Sequence, residues 1–360
     1  MNFRKIIKKA SGILATMLSL SIILTGCGSN GSSTSNTNQE PRELVVATWG
    51  GSYEKGLAEI VKPFEEQYNC KVILDIGNNA DRLNKLRAQK GNPQIDVAFM
   101  TDYFAAMANA EGIFDKINPD NIPNLKNIYD FAVHKDNFGP GYCVSRYGIA
   151  YNTEEVTEAP DSWADLWDPQ YKNNISVADI SGTSGVMLLA MAARLNGADE
   201  HNIDVGFEKV KELKPNVVNY FVSTSDLINM FERREIVMAP FMDTFMNDLK
   251  EAGLPIAWVA PKEGAWAVFN TLNVTKGSKN KELAEQFINF MLDENTQQKL
   301  AETIFDAPVN VNTKLNPELA ENLAYGKDKV ESLIVFDWDY INTVRDEWVE
   351  RWNKEITGSN

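Results

Sequence analysis

The sequence contains few residues of the kinds that hold metals or act as nucleophiles. Only 2 histidines and 3 cysteines occur among its 360 residues. Zinc proteins and serine hydrolases use short motifs such as HExxH, CxxC and GxSxG, and none of these is present. The sequence therefore predicts no catalytic residues, no metal site and no cofactor, and we expect a protein that is not an enzyme.

Positive charge is also scarce. The chain carries 35 lysines and arginines against 50 acidic residues, which gives a formal net charge of -15. A protein that binds nucleic acid needs a basic patch to neutralise phosphates, so no nucleic-acid partner is expected. The charge suits a soluble protein whose copies repel one another, which favours a monomer, and it could draw cations toward the surface.

One apolar run occurs near the N terminus, and it is too short to span a membrane comfortably. It reads ASGILATMLSLSIIL and follows the basic segment MNFRKIIKK, an order typical of export signals. The next residues, Leu24-Thr25-Gly26-Cys27, resemble the bacterial lipobox. That resemblance implies cleavage before Cys27 and attachment of lipid to its sulfur.

We therefore predict a signal peptide at 1–26, followed at 27–42 by the lipidated cysteine and a flexible tether. The tether reads GSNGSSTSNTNQEP and has nothing to bury. The protein would then lie on the extracytoplasmic face of the cell membrane, held through Cys27 only, at a Gram-positive-like surface or in a periplasm.

Two further cysteines, Cys70 and Cys143, lie far apart in the sequence. A disulfide is permitted outside the cell, but two cysteines at this separation do not specify one. We expect two buried free thiols.

Strand and helix patterns alternate from Glu43 onward, and this alternation predicts βαβ units around a mostly parallel sheet. A second α/β body follows near residue 152. Strands are predicted at 44–48, 71–76, 95–100, 142–152, 175–178, 217–222, 235–240, 256–260 and 266–275. Helices are predicted at 52–68, 80–89, 101–112, 162–167, 185–196, 242–252, 281–292 and 340–352.

Carboxylates, hydroxyls and aromatic rings follow several of the predicted strands. In a parallel sheet the carboxyl ends of the strands meet at one crevice, where open α/β folds bind ligands. Each aspartate could instead cap a helix, and each aromatic ring could pack in a core. The residues at these junctions are Trp49, Thr101, Asp102, Tyr103, Asp179, Thr183, Phe241 and Asp243.

Aromatic faces together with carboxylates suit an organic ammonium ion. The rings of Trp49, Tyr103, Phe241 and Trp266 would supply cation–π attraction, and the carboxylates would supply charge-assisted hydrogen bonds. The segment SGTSG at 181–185 points to another chemistry, because glycines and hydroxyls at a helix N terminus can bind an anion. It could equally be a plain loop cap.

Several segments of the chain resemble one known family. SWADLWDPQYK at 162–172, ELKPNV at 212–217, PKEG at 261–264 and the series NKE, INF and AETI between 280 and 304 occur in the family's order. The chain resembles the extracellular solute-binding proteins of ABC importers, in the spermidine/putrescine-binding branch.

The resemblance implies an α/β, two-lobed, periplasmic-binding-protein-like (type II) fold. Each lobe would be a mostly parallel sheet flanked by helices, with two crossover strands as hinge, near 148–153 and 268–272. Lobe 1 would hold 43–152 plus 270–316, and lobe 2 would hold 153–269 plus 317–360. The lobes would close around one solute and present a surface to permease subunits.

The resemblance carries over to some site residues and fails at others. Trp49, Tyr53, Thr101 and Tyr103 match aromatic or hydroxyl residues that line the family's site. At the position of the family's central carboxylate, this chain has Asn270. Of the acidic pair that the family carries in its second lobe, only Asp179 is present here. Other acids stand at positions expected to face the site: Asp102, Asp243, Asp306 and Asp339. Four converging carboxylates would need a cation, since burying an unpaired carboxylate is costly, although they could also face solvent.

The leading hypothesis is a lipid-anchored substrate-binding component that captures a polyamine or related cationic amine. The alternative keeps this role for a zwitterionic amino-acid derivative or opine-like solute, with Arg146 and the SGTSG segment as its carboxylate clamp. An extracellular enzyme using a carboxylate pair, and an adhesin or scaffold with the same fold, are the hypotheses from other classes.

Overall fold

The predicted alternation of strands and helices is present in the computed structural model, which describes residues 41–358, apart from the side chains of residues 247 and 248. The strands are β1 (Arg42–Thr48), β2 (Cys70–Ile76), β3 (Val97–Thr101), β4 (Gly141–Asn152), β5 (Ile175–Ala178), β6 (Val217–Phe221), β7 (Met238–Met242), β8 (Ile256–Val259), β9 (Trp266–Val274) and β10 (Ala307–Pro308). The helices are α1 (Ser52–Ile60), α2 (Lys62–Tyr68), α3 (Asn79–Ala88), α4 (Asp102–Ala110), α5 (Thr183–Arg194), α6 (Asp204–Leu213), α7 (Thr224–Glu232), α8 (Met246–Glu251), α9 (Lys281–Met291), α10 (Glu294–Ile304), α11 (Pro317–Asn322), α12 (Lys327–Glu331) and α13 (Trp338–Glu355).

Two parallel groups of strands are joined by two long antiparallel strands. The main order is β2-β1-β3-β9-β4-β7-β5-β6, with β8 and β10 added to β4. Strand β1 runs parallel to β2 and β3, and β5 runs parallel to β6 and β7. The α/β fold with mostly parallel groups of strands, predicted from the resemblance, is therefore confirmed.

Strands β4 and β9 connect the two groups by changing partners along their length. Up to Tyr147, β4 pairs with β9, and from Tyr147 onward it pairs with β7. Strand β9 pairs with β4 as far as Thr271 and with β3 from Asn270 onward, so the two pairings overlap at these residues. The crossover in β4 thus begins one residue before the segment 148–153 named as a hinge; hinge motion and the lobe boundaries stay predictions.

The core is divided between the faces of this sheet. One cluster packs α1, α2 and α9 on the first group of strands, with Phe64, Phe99 and Phe287 fully buried. A larger cluster contains Met100 of the first group and Trp163 of the second, so apolar packing is continuous across the crossover strands. Burial of this surface is the main stabilising contribution, at about 25 cal/mol per Å² of apolar area.

The predicted helix over 52–68 is divided into α1 and α2. Pro63 lies at the start of α2 and has no backbone N–H to donate to the preceding turn, so the helical hydrogen bonding is interrupted at Val61. The prediction of two buried free thiols is confirmed, since Cys70 and Cys143 are both buried and unbonded.

The predicted signal peptide, the lipidation at Cys27 and nearly all of the tether lie outside the described residues. Within residues 41–358, no helix has both the length and the apolar composition required to cross a bilayer.

Candidate functional site

The turn after β1 presents a tryptophan at the edge of the sheet. Gly51 has a φ of 76°, a left-handed conformation that favours glycine, and a Cβ on Gly50 would lie 2.7 Å from Ile76 Cγ2. The half-buried Trp49 ring meets Tyr53 edge-on, with ring centroids 5.3 Å apart. The buried Arg82 guanidinium lies 4.8 Å from the Trp49 ring centroid. The ring therefore already contacts a cation within the protein.

A row of polar side chains crosses three neighbouring strands near this turn. Cys143 of β4 is paired with Asn270 of β9, and Asn270 is paired with Thr101 of β3. The Asn270 side-chain amide donates to Cys143 Sγ over 3.2 Å. At the other end of the row, Thr101 Oγ1 lies 3.2 Å from Thr183 Oγ1 in the first turn of α5. The row thus connects the two groups of strands through side-chain contacts.

Asp306 is a buried carboxylate beside this row. It follows α10, which ends at Phe305 in a left-handed conformation, and β10 then pairs with β4 next to Cys143. The Tyr53 hydroxyl donates to Asp306 Oδ2 over 2.8 Å and lies 2.5 Å from the Tyr142 hydroxyl. Asp306 Oδ1 is buried without a hydrogen-bond partner among the described residues. Burial raises the pKa of Asp306 to about 6.

Asp243 is neutralised by a neighbour. Its carboxylate accepts from the Arg146 backbone N–H at 2.8 Å and from Arg146 Nε at 2.6 Å. Arg146 Nη2 also donates to the Asn322 carbonyl oxygen at 2.6 Å, and the guanidinium covers the Trp258 ring. Burial raises the pKa of Asp243, while Arg146 opposes that shift. Asp243 and Arg146 therefore form an ion pair in which each neutralises the charge of the other.

Asp102 is half-buried at the start of α4, where it interacts with backbone N–H groups and with the Trp338 side chain. It accepts from the N–H of Tyr103 at 2.8 Å and of Phe269 at 3.4 Å. Burial raises its pKa to about 7. The Tyr103 ring packs against Trp338, with centroids 5.2 Å apart, and its hydroxyl accepts a hydrogen bond from Arg345. Tyr103 is fully buried and therefore does not present its ring at the row.

Two of the predicted acids do not join Asp306 in this structure. The Asp339 side chain is 72% exposed and forms an ion pair with Lys135 at 3.2 Å, because the first turn of α13 directs it into solvent. Asp179 Oδ1 accepts from the Ser181 backbone N–H at 2.9 Å, which closes an Asx turn before α5; it does not cap the helix, whose N-cap is Gly182.

Two of the predicted aromatic residues are packed in the core. Phe241 is buried and tilted against Phe245, with centroids 5.5 Å apart. Trp266 is buried and stacks on Phe336, with centroids 4.1 Å apart. In both places packing against another ring replaces the ligand contact expected from the sequence.

The structure adds residues that the sequence did not point to. Tyr142 and Cys143 contact the Asp306 region from β4, and the Ser145 hydroxyl lies 2.6 Å from the Thr244 hydroxyl. Alternation along β4 could have indicated Cys143 and Ser145, which point to the same face of a strand, but not Tyr142, which lies at a break in register between Gly141 and Cys143.

Thr183 begins α5 without a side-chain cap, and the Gly185 and Val186 backbone N–H groups bond to the Gly182 carbonyl oxygen, so the capping positions left in the first turn are those of Thr183 and Ser184. Among residues 41–358, no three or more His, Cys, Asp or Glu side chains cluster as a metal site would require. The arrangement is suited to holding a small polar solute between a carboxylate and several hydroxyl groups.

Comparison with known proteins supports this interpretation. Residues 92–344 match the family model described as bacterial extracellular solute-binding protein. The chain is 27% identical over 335 residues to the spermidine/putrescine-binding periplasmic protein 1 of Haemophilus influenzae, covering 88% of this chain and 90% of that one. It is 26% identical over 289 residues to the spermidine/putrescine-binding periplasmic protein of Escherichia coli, covering 78% and 81%. A crystal structure of an ABC transporter protein from Clostridium perfringens is 37% identical, with a TM-score of 0.74, and covers 87% of this chain and 99% of that chain.

Proposed function

The chain belongs to the bacterial extracellular solute-binding proteins, and from this premise we propose that it captures a small cationic amine. It is the extracellular solute-binding component of an ABC transporter. Such proteins bind small solutes, work with permease subunits and are not enzymes. The curated relatives are named for spermidine and putrescine, which supports an amine as the ligand.

The observation that carries the amine proposal is the state of Asp306. It is 1% exposed, yet one of its carboxylate oxygens has no hydrogen-bond partner among residues 41–358. A buried carboxylate in this state is costly, and an ammonium group would remove that cost through a charge-assisted hydrogen bond. Tyr53 fixes the other oxygen, so the free oxygen has a defined direction.

The position of Asp306 also accounts for the missing central carboxylate. By resemblance that carboxylate falls on Asn270, and here Asn270 contacts Cys143, which lies beside Asp306. In our proposal the carboxylate that binds the ammonium is Asp306, just before β10, and not a residue of β9 as the resemblance implies for the family. The ammonium would then lie near the same row of side chains but approach from the side of Tyr53.

The remaining acids limit the number of ammonium groups that can be held. Asp243 is paired with Arg146, and Asp102 accepts backbone N–H groups. Asp339 is exposed. We therefore propose that one ammonium group is bound at Asp306 and that Trp49 and Tyr53 flank the attached alkyl chain.

A zwitterionic solute is the second candidate, because α5 begins beside Thr101 and no side chain caps its first turn. A carboxylate there would interact favourably with the helix N terminus. Arg146, the clamp expected from the sequence, is occupied by Asp243 and so does not serve this role in our proposal.

We further propose that the protein acts as a monomer on the extracytoplasmic face of the membrane. The apolar run and lipobox-like residues before Cys27 support a lipid anchor, and the net charge of -15 supports separation of the copies.

The proposal is tested by calorimetric titration with putrescine, butylamine and gamma-aminobutyrate. These solutes share an ammonium group on a four-carbon chain and differ at the other end. Asp306→Asn should weaken the binding of each ligand by about 30-fold or more, since about 2 kcal/mol of charge-assisted bonding is lost. Asp339→Asn, an exposed aspartate also within the second half of the chain, is the matched control and should bind as the parent does.

Equal affinity of the two variants would contradict the placement of the ammonium at Asp306. A preference for gamma-aminobutyrate over butylamine would favour the zwitterion, and tight binding of putrescine alone would favour a diamine.

A further inference from the structure

A cavity of about 500 Å³ lies away from the row of polar side chains described above. It is formed beside the C-terminal half of α5, where Met191 and Arg194 line it. Thr183, which contacts the row, begins the same helix, and the 11 residues to Arg194 span roughly 16 Å at 1.5 Å per residue. Volumes of about 300–1,000 Å³ are typical of small-molecule sites, so the cavity could accept a ligand of its own.

Three tryptophans line the cavity and are held in place by the surrounding structure; Trp167 is half-buried, whereas Trp163 and Trp266 are each 1% exposed. The Trp163 indole N–H donates to the Gly264 carbonyl oxygen at 3.0 Å, and the Trp167 indole N–H donates to that of Lys209 at 2.8 Å. Trp266 stacks on Phe336. The rings are therefore preorganised, which lowers the entropic cost of binding a flat apolar group.

The charged side chains that line the cavity differ in the ion-pair and hydrogen-bond partners that they have within the protein. Lys209 and Glu212 form an ion pair at 2.7 Å. The two Glu263 oxygens accept from the Ser162 hydroxyl at 2.6 Å and from the Trp163 backbone N–H at 3.1 Å. Each of these three side chains thus has a strong partner.

Arg194 is in a different state. Its guanidinium lies 5.1 Å from the Trp266 ring centroid. Its nearest carboxylate oxygen, on Glu200, is 3.8 Å away, too far for a hydrogen bond. The Glu200 oxygen that faces it is buried and has no hydrogen-bond partner among the described residues. Arg194 therefore has planar N–H donors left to offer at the rim of an aromatic cavity.

We propose that this cavity is a second binding site, for a small aromatic carboxylate. The ring of the ligand lies against the exposed part of Trp167 and the half-buried Leu195 and Ile334 of the lining, and its carboxylate accepts hydrogen bonds from Arg194, a geometry for which guanidinium is well suited. Glu200 repels the ligand carboxylate and weakens binding. The site goes beyond solute capture at Asp306 and does not depend on it.

The test is a titration of the purified protein with phenylacetate, followed by quenching of tryptophan fluorescence. Phenylacetamide, which has the same ring and no charge, is the matched ligand control. Phenylacetate should bind about tenfold more tightly than the amide, which corresponds to roughly 1.4 kcal/mol. Arg194→Gln should remove this preference, while Glu200→Gln should strengthen binding of the acid and keep the acceptor for the Asp337 backbone N–H.

Arg233→Gln is the matched protein control, because Arg233 is an exposed arginine paired with Glu235 outside the cavity. It should behave as the parent does, and saturating putrescine should not displace phenylacetate. Equal affinities for acid and amide, equal effects of the two arginine variants, or no quenching at millimolar phenylacetate would each overturn the proposal. These outcomes are independent of whether amines bind at Asp306.

Discussion

At the scale of single residues, the central feature is a carboxylate that is buried and only half satisfied. Asp306 Oδ1 has no hydrogen-bond partner among the described residues, whereas Oδ2 accepts from Tyr53. Contacts of the carboxylate with Cys143 and Tyr142 of β4 oppose the rise of its pKa. Asp243 and Asp102 are half-buried, and they are satisfied by Arg146 and by backbone N–H groups respectively. Asp306 therefore differs from these two predicted acids in both its burial and its partners.

The pKa of Asp306 makes ligand affinity depend on pH. An ammonium ligand binds the ionised carboxylate, and the pKa of about 6 in the free protein means that the group is mostly ionised at pH 7 and mostly protonated at pH 5. Affinity for putrescine should therefore be level above about pH 7 and about tenfold weaker at pH 5. Calorimetric titration at both values measures this change. In Asp306→Asn the profile should be flat, and an unchanged affinity at pH 5 in the parent would exclude titration of Asp306 in binding.

At the scale of elements, the start of α5 depends on a glycine. A Cβ on Gly185 would lie 2.0 Å from the Asp179 carbonyl oxygen, so Gly185→Ala must displace the first turn of α5. We expect a loss of about 1–3 kcal/mol in the free energy of unfolding, measured with urea, together with weaker ligand binding.

Gly182→Ala is the matched control for this prediction. Its Cβ would lie 4.0 Å from the same oxygen, and its φ of -105° is open to any residue. A change within about 0.5–1 kcal/mol is expected. Equal losses in the two variants would show that close packing at Gly185 does not fix the start of α5.

Elements with a clear apolar pattern could be predicted from the sequence. The strand at Ile175–Ala178 and the amphipathic helix from Lys281 were placed correctly. Helix α10 was not predicted, because Thr296 and Gln297 are buried polar residues that obscure its apolar face. Besides the nearby Met291 carbonyl oxygen, Gln297 is satisfied by distant partners, the carbonyl oxygen of Tyr142 and the N–H of Val309, which a local pattern does not show.

The candidate site was predictable only in part, because contacts between distant parts of the chain do not show in a local sequence pattern. The resemblance led to Trp49, Tyr53 and Asp306, whereas Tyr142 and Cys143 join them through pairing of β4 with β10, far apart in the chain. The exposure of Asp339 follows from the phase of α13, which the sequence position alone does not fix.

At the scale of the whole molecule, ligand capture should close the crevice and cover Cys143. This thiol is fully buried beside Asn270, so a thiol reagent can reach it only when the crevice opens. In Cys70→Ser protein, ligand at 100 times its dissociation constant should slow labelling of Cys143 by about 100-fold, because the reactive free form is depleted.

Labelling of Cys70 in Cys143→Ser protein is the control, since Cys70 starts β2 and lies outside the row. A similar slowing at both thiols would indicate general stabilisation and not closure over Cys143. Unchanged labelling at both would contradict closure on binding.

The most direct test of the central claim is a crystal structure of the protein with putrescine bound. We expect one ammonium nitrogen at about 2.7–2.9 Å from Asp306 Oδ1, the oxygen that has no hydrogen-bond partner among residues 41–358. Density that places the ammonium on Asp102 or Asp243, or a crevice without ligand beside Asp306, would contradict it.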